Sequence, residues 1–125
     1  MAKKTIMVVD DEGVIVDVVE KILQSKGYNV ITALSGRECL EALKTKPVDL
    51  ILLDIMMPEM DGWDVCENIK SNKKTEKIPI IFLTAKADPI SRSMGVLASQ
   101  DYISKPFDVK DLLSRVNKVI NLKVQ

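Results

Sequence analysis

The sequence contains no histidine. Histidine-based acid–base catalysis and most zinc sites are therefore excluded. Only two cysteines occur, Cys39 and Cys66, both within helical patterns and without metal-type spacing. They read as reduced, small apolar side chains of a cytosolic protein. Neither sign of charge is in excess, with 18 Lys plus Arg against 18 Asp plus Glu. That removes the generic electrostatic case for nucleic-acid binding, which needs cations to neutralise phosphates. No apolar run approaches the roughly 20 residues that cross a bilayer, and the N-terminus lacks a secretory h-region. A cytoplasmic protein without membrane insertion is expected. Repeats, linkers and low-complexity tracts are also missing. What remains is 125 residues, 46% hydrophobic and 29% charged, as in a single globular domain that buries its core without staples.

Short apolar runs alternate with helical periodicities. Strands are expected at Thr5–Val9, Tyr28–Ala33, Leu50–Asp54, Ile78–Leu83 and Tyr102–Ser104. Ile15, Val18, Val19 and Ile22 predict one buried helix face, closed by the stop signal Lys26-Gly27. Ser35-Gly-Arg-Glu38 predicts a capping box opening a helix to about Lys46, ahead of Pro47. Asp61 is expected to cap a helix carrying Val65, Cys66 and Ile69, which dissolves in the polar run 71–74. Asp88-Pro89 predicts a fourth helix to about Leu97. Asp108 is expected to cap the last, with Val109, Leu112, Leu113, Val116 and Ile120 as its stripe. Five strands alternating with five helices predict a doubly wound α/β sandwich: a parallel sheet with right-handed crossovers and helices on both faces. Trp63 is read as packing.

The stretch Leu50-Ile51-Leu52-Leu53-Asp54 is the centre of this pattern. Four large aliphatics fit a strand covered on both faces, and the run ends on a carboxylate. Asp10, Asp11, Asp54, Thr84 and Lys105 all fall at C-terminal strand ends, which converge on one edge of a parallel sheet. Singly, each has an ordinary reading as a cap, a turn or a connector. Together, three carboxylates without histidine suit a hard, oxygen-loving cation such as Mg²⁺. A lysine and a hydroxyl beside them suit a phosphoryl group carried on a carboxylate.

Four motifs carry a family resemblance across nearly the whole chain: Val-Val-Asp-Asp-Glu at 8–12, Leu-Leu-Asp-Ile-Met-Met-Pro-Glu-Met-Asp-Gly at 52–62, Leu-Thr-Ala-Lys at 83–86 and Asp-Tyr-Ile-Ser-Lys-Pro-Phe at 101–107. As a set they resemble the receiver domains of two-component response regulators. The resemblance implies one receiver domain over 1–125 with a flavodoxin-like fold of strand order 2-1-3-4-5. It implies a signalling phosphoacceptor, not an enzyme, which assists its own phosphorylation and dephosphorylation. Asp54 would accept a phosphoryl group from a histidine kinase or phosphotransfer protein. Asp10, Asp11, Asp54 and the backbone carbonyl of Met56 would hold Mg²⁺, and Thr84 and Lys105 would bind phosphoryl oxygens. Tyr102 would reorient with Thr84 in signalling, and the Lys105-Pro106 bond would be cis. The output partner would use the face of the fourth helix, fifth strand and fifth helix, with no direct nucleic-acid contact by the domain. Met56 and Lys86 would flank the hydrolytic water. The family's usual glycine is missing from Leu97-Ala-Ser-Gln100, which implies a strained end to the fourth helix. Competing classes fit less well: a phosphatase with an Asp-x-Asp nucleophile would not have adjacent acids, a phosphorylation-independent module would have lost one of these groups, and a flavin carrier would show a Ser/Thr-rich phosphate loop.

Overall fold

Strand β3 (Leu50–Asp54) is buried at every position, as four consecutive aliphatics require. It lies at the centre of a five-stranded parallel sheet of order β2-β1-β3-β4-β5, formed with β1 (Thr5–Val9), β2 (Asn29–Ala33), β4 (Ile80–Ala85) and β5 (Asp101–Lys105). The expected order is present. The computed structural model describes residues 3–85 and 101–121, apart from the side chains of Thr84 and Ala85. The helix expected at 88–97, Lys86 and the segment without glycine lie outside the described residues.

Alternation along the strands builds two cores. Ile6, Val8, Leu50, Leu52, Ile81, Leu83 and Ile103 face helices α1 (Gly13–Ser25) and α4 (Val109–Ile120). Met7, Val9, Ile51, Leu53, Ile80 and Phe82 face α2 (Gly36–Leu43) and α3 (Gly62–Lys70), with Cys39 and Cys66 buried among them. No disulfide joins the two cysteines, and burial pushes the Cys39 thiol up to about 12 and that of Cys66 upward as well. Trp63 packs tilted on Phe82, with ring centroids 4.7 Å apart.

Four boundaries or faces depart from expectation. In α1 the buried side is Val16, Val19 and Leu23, flanked by Ile15 and Ile22, while Val18 is left 45% exposed. Two overlapping apolar stripes run along this valine-rich helix, and packing on the sheet selects between them. Helix α2 is shorter than expected and unwinds after Leu43, because a residue preceding proline disfavours helical geometry and Pro47 follows closely. Its capping box is half-formed: Ser35 Oγ accepts from Glu38 N, while the Glu38 carboxylate accepts from Leu34 N instead of Ser35 N. Strand β4 starts after Pro79, which has no N–H to give the ladder. In α4, Val109 is 45% exposed and not part of the buried stripe, since as the first helical residue it precedes contact with the sheet. Asp61 and Asp64 make a full reciprocal capping box at the start of α3.

Candidate functional site

Asp10, Asp54 and Lys105 continue the alternating rows of Val8, Leu52 and Ile103, so all three project to the same side at the C-terminal edge of the sheet. Asp10 extends the β1 ladder through its N–H to Ala33 O (3.2 Å) and is fully buried. Its Oδ1 accepts from Glu12 N at 2.9 Å, tying the carboxylate to the start of α1. Asp54 is the last residue of β3 and 3% exposed. Lys105, the last residue of β5, reaches across the sheet edge. Its Nζ donates to Asp54 Oδ1 at 3.2 Å and lies 2.7 Å from Asp10 Oδ2. That second approach is off the direction of a hydrogen bond and leaves Asp10 Oδ2 buried without an acceptor's partner.

Asp11 is exposed, and one carboxylate oxygen from each of Asp10, Asp11 and Asp54 lies within 4.8 Å of the others. These oxygens form an all-oxygen donor set, which fits a hard divalent cation. Glu12 is a member that sequence reasoning passed over: its Oε1 is 3.5 Å from Lys105 Nζ. Its signal was adjacency to the acidic pair.

One cation among these acids cannot neutralise them. Burial, then the charge of Asp10, raises the Asp54 carboxyl from 3.8 to about 7, against the opposing pull of Lys105. Burial would lower the Lys105 ammonium's pKa, but its contacts with Asp10 and Asp54 outweigh that and raise it.

The loop after Asp54 turns tightly before α3 begins. Pro58–Glu59–Met60 forms a tight turn, with Met60 N donating to Pro58 O at 2.7 Å and Glu59 at φ 67°. Gly62 N then donates to Ile55 O at 2.7 Å. A Cβ on Gly62 would overlap the Asp54 carbonyl oxygen, so only glycine lets α3 begin this close to β3. Met56 is exposed in this loop, two residues from Asp54. Thr84 is the penultimate residue of β4, opposite Ser104 in register. Tyr102 stands apart from the acidic cluster: its ring stacks on Phe82 at 5.8 Å, on the α2–α3 side of the sheet, and its buried hydroxyl has no partner among the described residues. The Lys105-Pro106 bond is cis.

Residues 6–117 match the family model of the response regulator receiver domain. The chain belongs to that family. Receiver domains are the phosphoacceptor modules of two-component signalling. The alkaline phosphatase synthesis transcriptional regulatory protein PhoP of Bacillus subtilis is 40% identical over 118 residues, covering 94% of this chain and 48% of the relative. The probable transcriptional regulator ycf27 of Porphyridium aerugineum is 41% identical over 96% of this chain and 49% of its own length. This receiver chain thus spans about half the length of these relatives. Among solved structures, the receiver domain protein of Methanospirillum hungatei has a TM-score of 0.86 at 39% identity, with 95% of both chains covered. The receiver domain of the sensor histidine kinase PA1611 of Pseudomonas aeruginosa has a TM-score of 0.86 at 30% identity, covering 97% of this chain and 100% of that one, and carries a magnesium ion in its active site cleft. No helix among the described residues is long and apolar enough to cross a membrane.

Proposed function

We propose that this receiver domain, one unit over 1–125, takes a phosphoryl group on Asp54 from a phosphohistidine of a histidine kinase or phosphotransfer protein. The observation that carries the reading is the convergence of Asp10, Asp11, Asp54 and Lys105 at one sheet edge. Lys105 occupies Asp54 Oδ1 and leaves Oδ2 as the attacking oxygen. An O–P bond forms as the P–N bond breaks, and the imidazole leaves. Asp10, Asp11, Asp54 and the Met56 carbonyl would hold Mg²⁺, which when bound supplies positive charge for the phosphoryl oxygens. Lys105, already positioned by Asp10, then follows those oxygens as the charge moves outward. Thr84 donates to a further phosphoryl oxygen. Its inward movement lets Tyr102 leave Phe82 and bury its ring beneath the segment it vacates, which remodels the face of β5, α4 and the helix expected at 88–97 for an output partner. The domain assists its own phosphorylation and dephosphorylation and turns over no other substrate.

A macromolecular donor is supported by the exposed apolar side chains. Val14, Leu34, Met56 and Val109 each follow a strand's C-terminal end within a few residues, on the sheet edge that carries the acids. Incubation with acetyl phosphate and Mg²⁺ is expected to add one acid-labile phosphoryl group, and Asp54→Asn to abolish it. Label on the Asn variant at the wild-type level would refute the assignment.

A further inference from the structure

On the opposite side of the molecule from α1, three cavities join into one furrow along α2 and α3. The first, of about 180 Å³, is lined by Ser35, Arg37 and the Pro58–Met60 turn. Arg37 and Met60 also line the second, of about 410 Å³, with Leu40, Asn68 and Asn72. Leu43, Lys44, Lys74 and Thr75 connect that to a third of about 390 Å³, which reaches Lys46, Val48 and Ile78. Along α2 the lining residues Arg37, Leu40, Glu41 and Lys44 follow the i, i+3, i+4, i+7 spacing of one helix face.

The floor is apolar, built by the half-buried Leu40, Leu43 and Met60. The lining is cationic on balance, with Arg37, Lys44, Lys46 and Lys74 against Glu41 and Glu59, although the chain as a whole carries no net charge. Lys44 is paired with Glu41 at 3.1 Å. Arg37, Lys46 and Lys74 have side chains without an ion pair among the described residues. A trough open to solvent along two helices would leave a small ligand largely uncovered, whereas small-molecule sites enclose most of their ligand. It suits an amphipathic helix laid in a groove, with apolar anchors below and acids toward the rim. Nucleic acid would meet the cations but find no aromatic platform, since the lining holds no Phe, Tyr or Trp.

We propose that the α2–α3 furrow is a docking groove for an acidic amphipathic peptide segment of a partner protein. Most of it lies along α2 and α3, away from the acids, and it can be tested on the unphosphorylated protein. The probe is a fluorescein-labelled helix of roughly 18 residues, with leucines at i, i+3, i+4 and i+7 and glutamates elsewhere. Controls are the same pattern with lysines and the same composition with the leucines scrambled. Fluorescence anisotropy is expected to show saturable binding of the acidic patterned peptide alone, weakening with salt. Lys46→Glu/Lys74→Glu is expected to weaken it about tenfold or more. Lys21→Glu/Lys26→Glu, on α1 and at its C-terminal cap, is expected to leave it unchanged and controls for net charge. Both lysines of the double variant are exposed loop residues, and Arg37→Glu is the second variant should that pair fail to fold. Equal binding of acidic and basic peptides, no binding of the acidic one, or unchanged binding in the reversed variants would overturn the proposal. So would a single-stranded oligonucleotide that outcompetes the peptide and is lost in the same variants.

Discussion

At the scale of single residues, the site balances one lysine against four carboxylates, Asp10, Asp11, Glu12 and Asp54, and Asp54 carries the imbalance. Because its folded-state carboxyl sits near 7 against an ordinary 3.8, the folded protein binds more protons than the unfolded chain between those values. Stability of the metal-free protein should therefore fall as pH rises through that window, with the penalty complete above it. At about 1.4 kcal/mol per pH unit the ceiling is about 4 kcal/mol, reduced by whatever adjustment Lys105 makes. Denaturant melts of wild type and Asp54→Asn should agree near pH 4 and separate toward pH 8, with the Asn variant the more stable. Parallel curves would show that Asp54 ionises normally. A second residue is expected to set the lifetime of the phosphorylated state. Met56 is the exposed side chain two positions beyond Asp54, and its thioether is too weak an acceptor to orient a hydrolytic water. The phosphorylated state is expected to last minutes or longer, and Met56→Asn to shorten it. Decay within seconds in the wild type, or no acceleration in the variant, would place control elsewhere.

At the scale of elements, much was legible because local rules and packing agreed. The Leu50–Leu53 run could be satisfied only by a strand covered on both faces, and the caps at Ser35, Asp61 and Asp108 each receive a backbone N–H. The face of α1 was not legible, since Val14, Val16, Val18 and Val19 offer several apolar stripes of equal quality. Glu12 was missed because its role depends on the reach of Lys105 from a strand far along the chain. Arg115 grips Asp111 at 3.0 Å in an i,i+4 pair that local spacing could mark, but its 2.7 Å bond to Asp101, which ties α4 to β5, had no local signal. The exposed valines of α1 have a testable consequence. Val14 is 75% exposed beside the acids, where a protein donor would press but a small one would not. Val14→Asp is expected to slow phosphotransfer from a phosphohistidine protein about tenfold, while labelling by acetyl phosphate is unchanged. An equal effect on both donors would mean that the substitution disturbs the pocket itself.

At the scale of the whole molecule, alternation of strands and helices sufficed for a parallel sheet but not for its order, which came with the family resemblance. That order puts β1 beside β3, and so Asp10 and Asp11 beside Asp54, at the cost of crowding like charges at one edge. Mg²⁺ is expected to raise the thermal midpoint by mass action, and Asp11→Asn to diminish the rise. An undiminished rise would remove Asp11 from the ligand set. The central claim, that the carboxylate ending β3 is the phosphoacceptor, is tested most directly by trapping the acyl phosphate. Borohydride reduction of the acetyl phosphate-treated protein, followed by peptide mass spectrometry, should place homoserine at position 54 alone. Homoserine at position 10 or 11, or none at position 54 while the phosphoryl label is present, would contradict it.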